Sequence, residues 1–155
     1  MKRIIILALI VATSIAFTAQ AQDAIFKKYG SEDGVTLVNI SKNMLRLMPK
    51  LKTGNKKVKD TANKLDHIRV LSCDKKSTAG KIKKDMLNYI KKNNYEEVMS
   101  TREGKELVQI LQRDLGNGRF EYIILSTTQN EVNIVNITGA LTLDEARDLD
   151  FWSHQ

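Results

Sequence analysis

Apolar positions along the chain change period several times, and each change marks an element. Ile4 to Phe17 is an almost unbroken apolar run, interrupted only by Thr13 and Ser14. Asp23 to Tyr29 reads as a short helix, with an acid in its first turn and Gly30 after its end. Gly34 precedes the β-branched run Val35 to Ile40, which predicts a strand. Ser41 is placed to cap a helix over Lys42 to Met48, and Pro49 closes it, because the residue before a proline disfavours helical angles. Leu65 to Cys73 predicts a second strand. Ser77 or Thr78 then opens a helix to Asn93, in which Ile82, Met86, Tyr89 and Ile90 fall on one face.

The remaining chain alternates at the strand period. Tyr95 to Ser100, Lys105 to Asp114, Arg119 to Thr127 and Glu131 to Thr138 read as strands. Gly116-Asn117-Gly118 is a hairpin turn signal between two of them. Thr142 and Glu145 match a capping box that starts a helix to Asp150. The order α-β-α-β-α-β-β-β-β-α predicts an α+β domain with a mixed, largely antiparallel sheet and helices on one face. Both sides of Arg119 to Thr127 carry apolar residues, so the outer sheet face is expected to be covered by a partner chain or a terminal segment.

The first apolar run has a second meaning. Met1, Lys2 and Arg3 precede it, and Ala19-Gln20-Ala21 follows with small residues at a cleavable spacing. Residues 1–21 therefore read as a secretory signal peptide, with cleavage between Ala21 and Gln22 and a single domain over 22–155. The run is shorter than the roughly 18 residues a spanning helix needs. No cysteine stands at the cleavage point, which excludes a lipoprotein and predicts a periplasmic or secreted product. Cys73 is the sole cysteine, so no disulfide forms within the chain; it is expected as a buried small hydrophobe ending its strand.

Charge is split along the chain. Gln22 to Lys92 holds 18 basic and 7 acidic residues, net +11, whereas Asn93 to Gln155 holds 5 basic and 11 acidic, net −6. The segment 50–64 is the most basic stretch and is expected as an exposed, flexible connection. Its Lys52, Lys56, Lys57, Lys59 and Lys64 are the candidate partner-binding residues. For an exported protein the matching polyanions are proteins and anionic envelope components, not nucleic acid.

Catalytic and ligand motifs are sparse. His67 and Cys73 share a strand but stand six steps apart, about 20 Å, too far for a nucleophile and its base. Neither the histidines nor Asp144, Glu145, Asp148 and Asp150 show a metal-ligand spacing. No cofactor is expected. Asn39-Ile40-Ser41 and Asn136-Ile137-Thr138 match the N-glycan acceptor pattern. Asp60-Thr61-Ala62 is similar to a short O-glycosylation site of exported bacterial proteins.

Several stretches together resemble a Bacteroidetes family of small exported proteins classified only as a domain of unknown function. They are Ile25 to Tyr29, Gly34 to Lys42, Met44 to Pro49, Ile68 to Leu71, Tyr95 to Met99, Phe120 to Asn136 and Thr138 to Leu141. The resemblance implies an envelope setting and carries no catalytic or binding set. Three functions follow as expectations: a non-enzymatic exported domain binding a protein or envelope component; an envelope-directed hydrolase using Asp and Glu; and an assembly protein that dimerises through its sheet.

Overall fold

The computed structural model describes residues 18–47, 60, 61 and 63–147. The elements are α1 (Thr18–Tyr29), β1 (Val35–Ser41), α2 (Lys42–Leu47), β2 (Leu65–Cys73), α3 (Lys76–Lys92), β3 (Glu96–Glu103), β4 (Glu106–Gly116), β5 (Arg119–Thr127), β6 (Val132–Gly139) and α4 (Leu143–Arg147). The strands form one six-stranded sheet in the order β1-β2-β6-β5-β4-β3. Every pairing is antiparallel, so the expected mixed sheet is antiparallel among the described residues. The two helical steps that suggested parallel pairing do not produce it. β1 turns back on β2, and α3 carries the chain from β2 across the sheet to the far edge at β3.

Local chemistry explains most boundaries. Gly116, Asn117 and Gly118 all take positive φ (80°, 56° and 68°), which closes the β4–β5 hairpin. Thr142 and Glu145 form the expected capping box: the Thr142 amide donates to Glu145 Oε2 at 3.1 Å and the Glu145 amide donates to Thr142 Oγ1 at 3.3 Å. The expected course of this helix beyond Arg147, and of α2 beyond Leu47, lies outside the described residues. α3 begins at Lys76, before the expected caps; Lys75 is its N-cap with no side-chain hydrogen bond, and Ser77 and Thr78 fall inside the first turn. Thr78 is buried there, so packing sets this start, not capping. β3 starts one residue later than expected and runs on to Glu103, because its pairing with β4 continues to Glu106.

Two apolar layers flank the sheet. On the first face, Ile25, Phe26 and Tyr29 of α1 and Ile82, Met86 and Ile90 of α3 pack against Leu71, Ile123, Leu125 and Ile134. On the second face, Leu45 of α2, Leu141 and Ala146 of α4 pack against Ile68, Tyr122, Ile124 and Ile137. The long helices thus cover one face, as expected, and two short helices edge the other. Gly139 lets these edges close: a Cβ there would stand 2.4 Å from the Lys64 carbonyl oxygen, to which the Ala140 amide donates at 2.9 Å. No helix among the described residues is long and apolar enough to cross a membrane.

Candidate functional site

Cross-strand partners in a sheet point to the same face. Following the register from edge to edge, Val38 faces Val70, Val70 faces Val135, Val135 faces Ile124, Ile124 faces Ile110 and Ile110 faces Met99. One apolar residue from each of the six strands therefore forms a continuous row on the second face. At about 4.8 Å per strand the row is about 24 Å long. Its ends are open, with Val38 43% and Met99 50% exposed. Val70, Val135 and Ile110 are half-buried, packed against the cluster that holds α2 and α4, and Ile124 belongs to that cluster.

The row has distinct borders. On one side lies the row Ile40, Ile68, Ile137 and Tyr122, beneath α2 and α4. On the other lies Thr36, Ser72, Asn133, Ser126, Val108 and Thr101, polar at every position but one. Within this border the Ser72 hydroxyl donates to Asn133 Oδ1 at 2.5 Å and the Ser126 hydroxyl to Glu106 Oε1 at 2.8 Å. An apolar strip open at both ends, half-buried between them and bordered by a hydrogen-bonding rim, is a surface type that marks protein contacts. β3 enlarges it: all eight of its residues are exposed, on both faces.

The first face carries a different, polar arrangement. Glu121 is 3% exposed and its carboxylate accepts from Arg113 Nη2 at 2.5 Å, Tyr95 Oη at 2.7 Å and Asn136 Nδ2 at 3.0 Å. Asn136 Oδ1 in turn accepts from Arg69 Nε and Nη2, and Arg69 pairs with Asp23 of α1. Burial first, and then the Glu121 charge, hold the Tyr95 phenol far above its usual range, so it stays a donor. A groove of about 280 Å³ opens beside this chain of contacts, lined by Asp23, Asn39, Ser41, His67 and Arg69. His67 Nε2 lies 3.2 Å from Thr138 Oγ1, and burial, then the Arg69 charge, lower its pKa. Through these contacts the network ties α1, β2, β6, β5 and β4 together.

The residues singled out in the sequence fall as follows. Lys52, Lys56, Lys57 and Lys59 lie outside the described residues. Lys64 is described, and its ammonium pairs with Glu145 of the capping box at 2.5 Å. It fastens α4 to the start of β2. Thr61 is 4% exposed, so the Asp60-Thr61-Ala62 triplet does not present its hydroxyl as an exposed loop would. Asn136 is fully buried within the Glu121 network, which closes its acceptor pattern to a glycan. Cys73 is buried, its thiol 3.7 Å from the Lys75 carbonyl oxygen. The Ala21–Gln22 junction lies within α1, which begins at Thr18 and not at Asp23. Among the described residues no group of three or more His, Cys, Asp and Glu is placed to hold a metal ion.

Sequence reasoning found the apolar outer side of β5 but neither the full row nor the Glu121 network. The row emerges only when the register of six strands is known. A family model for a domain of unknown function, DUF4252, matches residues 29–149, and so spans all six strands of the sheet but begins after Ile25 and Phe26 of α1. No curated protein matches the chain.

Proposed function

The chain belongs to the DUF4252 family, and from that premise we propose that it is an exported, non-enzymatic domain that binds another protein through the second face of its sheet. The observation that carries this reading is the Val38-Val70-Val135-Ile124-Ile110-Met99 row. A row of this length, open at both ends and rimmed by hydroxyl and amide groups, suits a protein segment that presents apolar side chains and backbone hydrogen-bonding groups together. Export is supported by the basic start, the apolar run Ile4 to Phe17 and the Ala19-Gln20-Ala21 spacing. In the envelope the basic segment 50–64 would add salt-dependent attraction to anionic components.

Capture from the native envelope tests the reading. The mature chain should retain a protein partner, and the Val38→Asp/Met99→Asp double substitution should release it. Both sites are exposed, so the fold tolerates the change. Retention of the same partner by a correctly folded double variant would reject the second face as the binding surface.

A further inference from the structure

We infer that the groove where α3 meets the β3–β4 and β5–β6 turns is a binding site for a phosphate group. Lys83 of α3 and Arg102 and Lys105 of the β3–β4 hairpin bring three positive charges to its wall, and no carboxylate of a described residue lines it. None of the three cations forms an ion pair with a described acid. Like charges gathered at one groove repel, and an anion among them relieves that repulsion. The strand register explains the segregation. Arg102 pairs with Leu107 and Leu107 with Thr127, so these three share the first face, on which α3 packs. Glu103 pairs with Glu106, which puts both acids of the hairpin on the second face.

Neutral donors complete the site. The Thr128 hydroxyl oxygen accepts from the Asn130 amide at 3.2 Å and from the Glu131 amide at 3.0 Å. Both of its lone pairs are then taken, and its O–H is left to donate. Thr127 also lines the groove; it is 3% exposed, and its hydroxyl has no hydrogen-bond partner among the described residues. Gln129 adds a side-chain amide. Cationic, hydroxyl and amide donors with no competing carboxylate select an anion rich in acceptor oxygens, and a phosphate group is such an anion. The groove holds about 350 Å³, which is small for a ligand site. It has room for a phosphate with a short substituent, whether the headgroup of a lipid or a free phosphate ester. It opens away from the apolar row of the second face and does not depend on the reading of that row.

Inorganic phosphate is the probe. Titrated into the exported chain at constant ionic strength, it should give saturable NMR shifts at the amides of Gly104, Lys105, Thr128 and Gln129 that chloride does not reproduce. Arg102→Gln/Lys105→Gln, at two exposed positions, should keep the fold and weaken phosphate binding at least about tenfold. Thr127→Val should weaken it about fivefold while leaving urea stability unchanged, because no described group loses a partner. Vesicles of phosphatidylcholine with phosphatidic acid, compared with phosphatidylcholine alone, identify the source of the phosphate. Binding to the acidic vesicles that inorganic phosphate competes and the double variant loses makes a lipid headgroup the ligand. Phosphate shifts without vesicle binding make it a soluble phosphate ester. Absence of saturable shifts overturns the proposal, whatever the vesicles do, and so do shifts that the folded double variant retains at full strength.

Discussion

Arg113 and Glu121 face each other across β4 and β5, with Arg113 Nη2 2.5 Å from Glu121 Oε2 and both side chains nearly buried. The pair sits among Tyr95, Asn136 and the sheet, with the Arg113 guanidinium also over the Tyr95 ring at 4.9 Å. Arg113 Nε is buried without a hydrogen-bond partner. Removing one member of such a pair strands the other charge away from water. Arg113→Met alone is therefore expected to cost about 3–5 kcal/mol. The Arg113→Met/Glu121→Met double variant should lose less than the two single losses together. Urea unfolding of the four proteins measures this, and strictly additive losses would show that the two charges do not depend on each other.

Tyr122 links the sheet to α4. It is buried, and its hydroxyl meets the Leu141 carbonyl at 2.9 Å. Burial pushes its pKa up to about 12, which keeps the hydroxyl protonated as the donor. Tyr122→Phe leaves that carbonyl buried and unmet, at an expected cost of about 1–3 kcal/mol. The loss should concentrate at α4: hydrogen exchange at the Ala146 amide, which donates to Thr142, should accelerate more than exchange in α3. Equal acceleration in both helices would argue against a local anchor.

Much of this architecture was legible in residue order. The element sequence, the Gly116-Asn117-Gly118 turn and the Thr142–Glu145 capping box are set by neighbours a few residues apart, where local chemistry decides. The buried face of α3 followed from its helical spacing for the same reason. The sheet order was not legible. Pairing of β2 with β6 joins residues 59 to 74 positions apart, from Cys73↔Val132 to Leu65↔Gly139, and two β-branched strands carry no local mark of which neighbour they choose. The Glu121 network escaped for a related reason: a glutamate in an alternating strand reads as solvent-facing until Arg113, Tyr95 and Asn136 are known to converge on it. Thr61 read as exposed because the stretch around it is lysine-rich, and composition does not reveal that one side chain turns inward.

His67 makes stability depend on pH. Burial, followed by the Arg69 charge, lowers its pKa below the usual 6.5 in the folded chain. The unfolded chain then binds the proton more readily than the folded one. Stability from this group is complete above about pH 6.5 and is lost as pH falls through the lower, folded value. His67→Gln should flatten the stability profile below about pH 6.5 relative to the unsubstituted chain. Chemical denaturation at a series of pH values checks this; parallel profiles for both proteins would place the acid sensitivity elsewhere.

Gly139 and Gly116 predict opposite kinds of cost for the same substitution. Gly116 has φ of +80° and open space around a would-be Cβ, so Gly116→Ala strains only the backbone, at about 1 kcal/mol. Gly139 is limited by space: its Cβ would meet the Lys64 carbonyl at 2.4 Å and the Leu65 Cα at 3.0 Å, both backbone atoms that cannot swing aside. Gly139→Ala must push the start of β2 away from the end of β6. That movement would also loosen the Ala140–Lys64 hydrogen bond and the Lys64–Glu145 pair beside it. The expected loss is about 2–3 kcal/mol, roughly twice that of Gly116→Ala. Because Lys64 fastens α4, Gly139→Ala should also speed exchange at Ala146, whereas Gly116→Ala should leave that amide unchanged. Similar losses at the two glycines, with Ala146 unaffected by either, would mean that β2 and β6 can part without disturbing the second face.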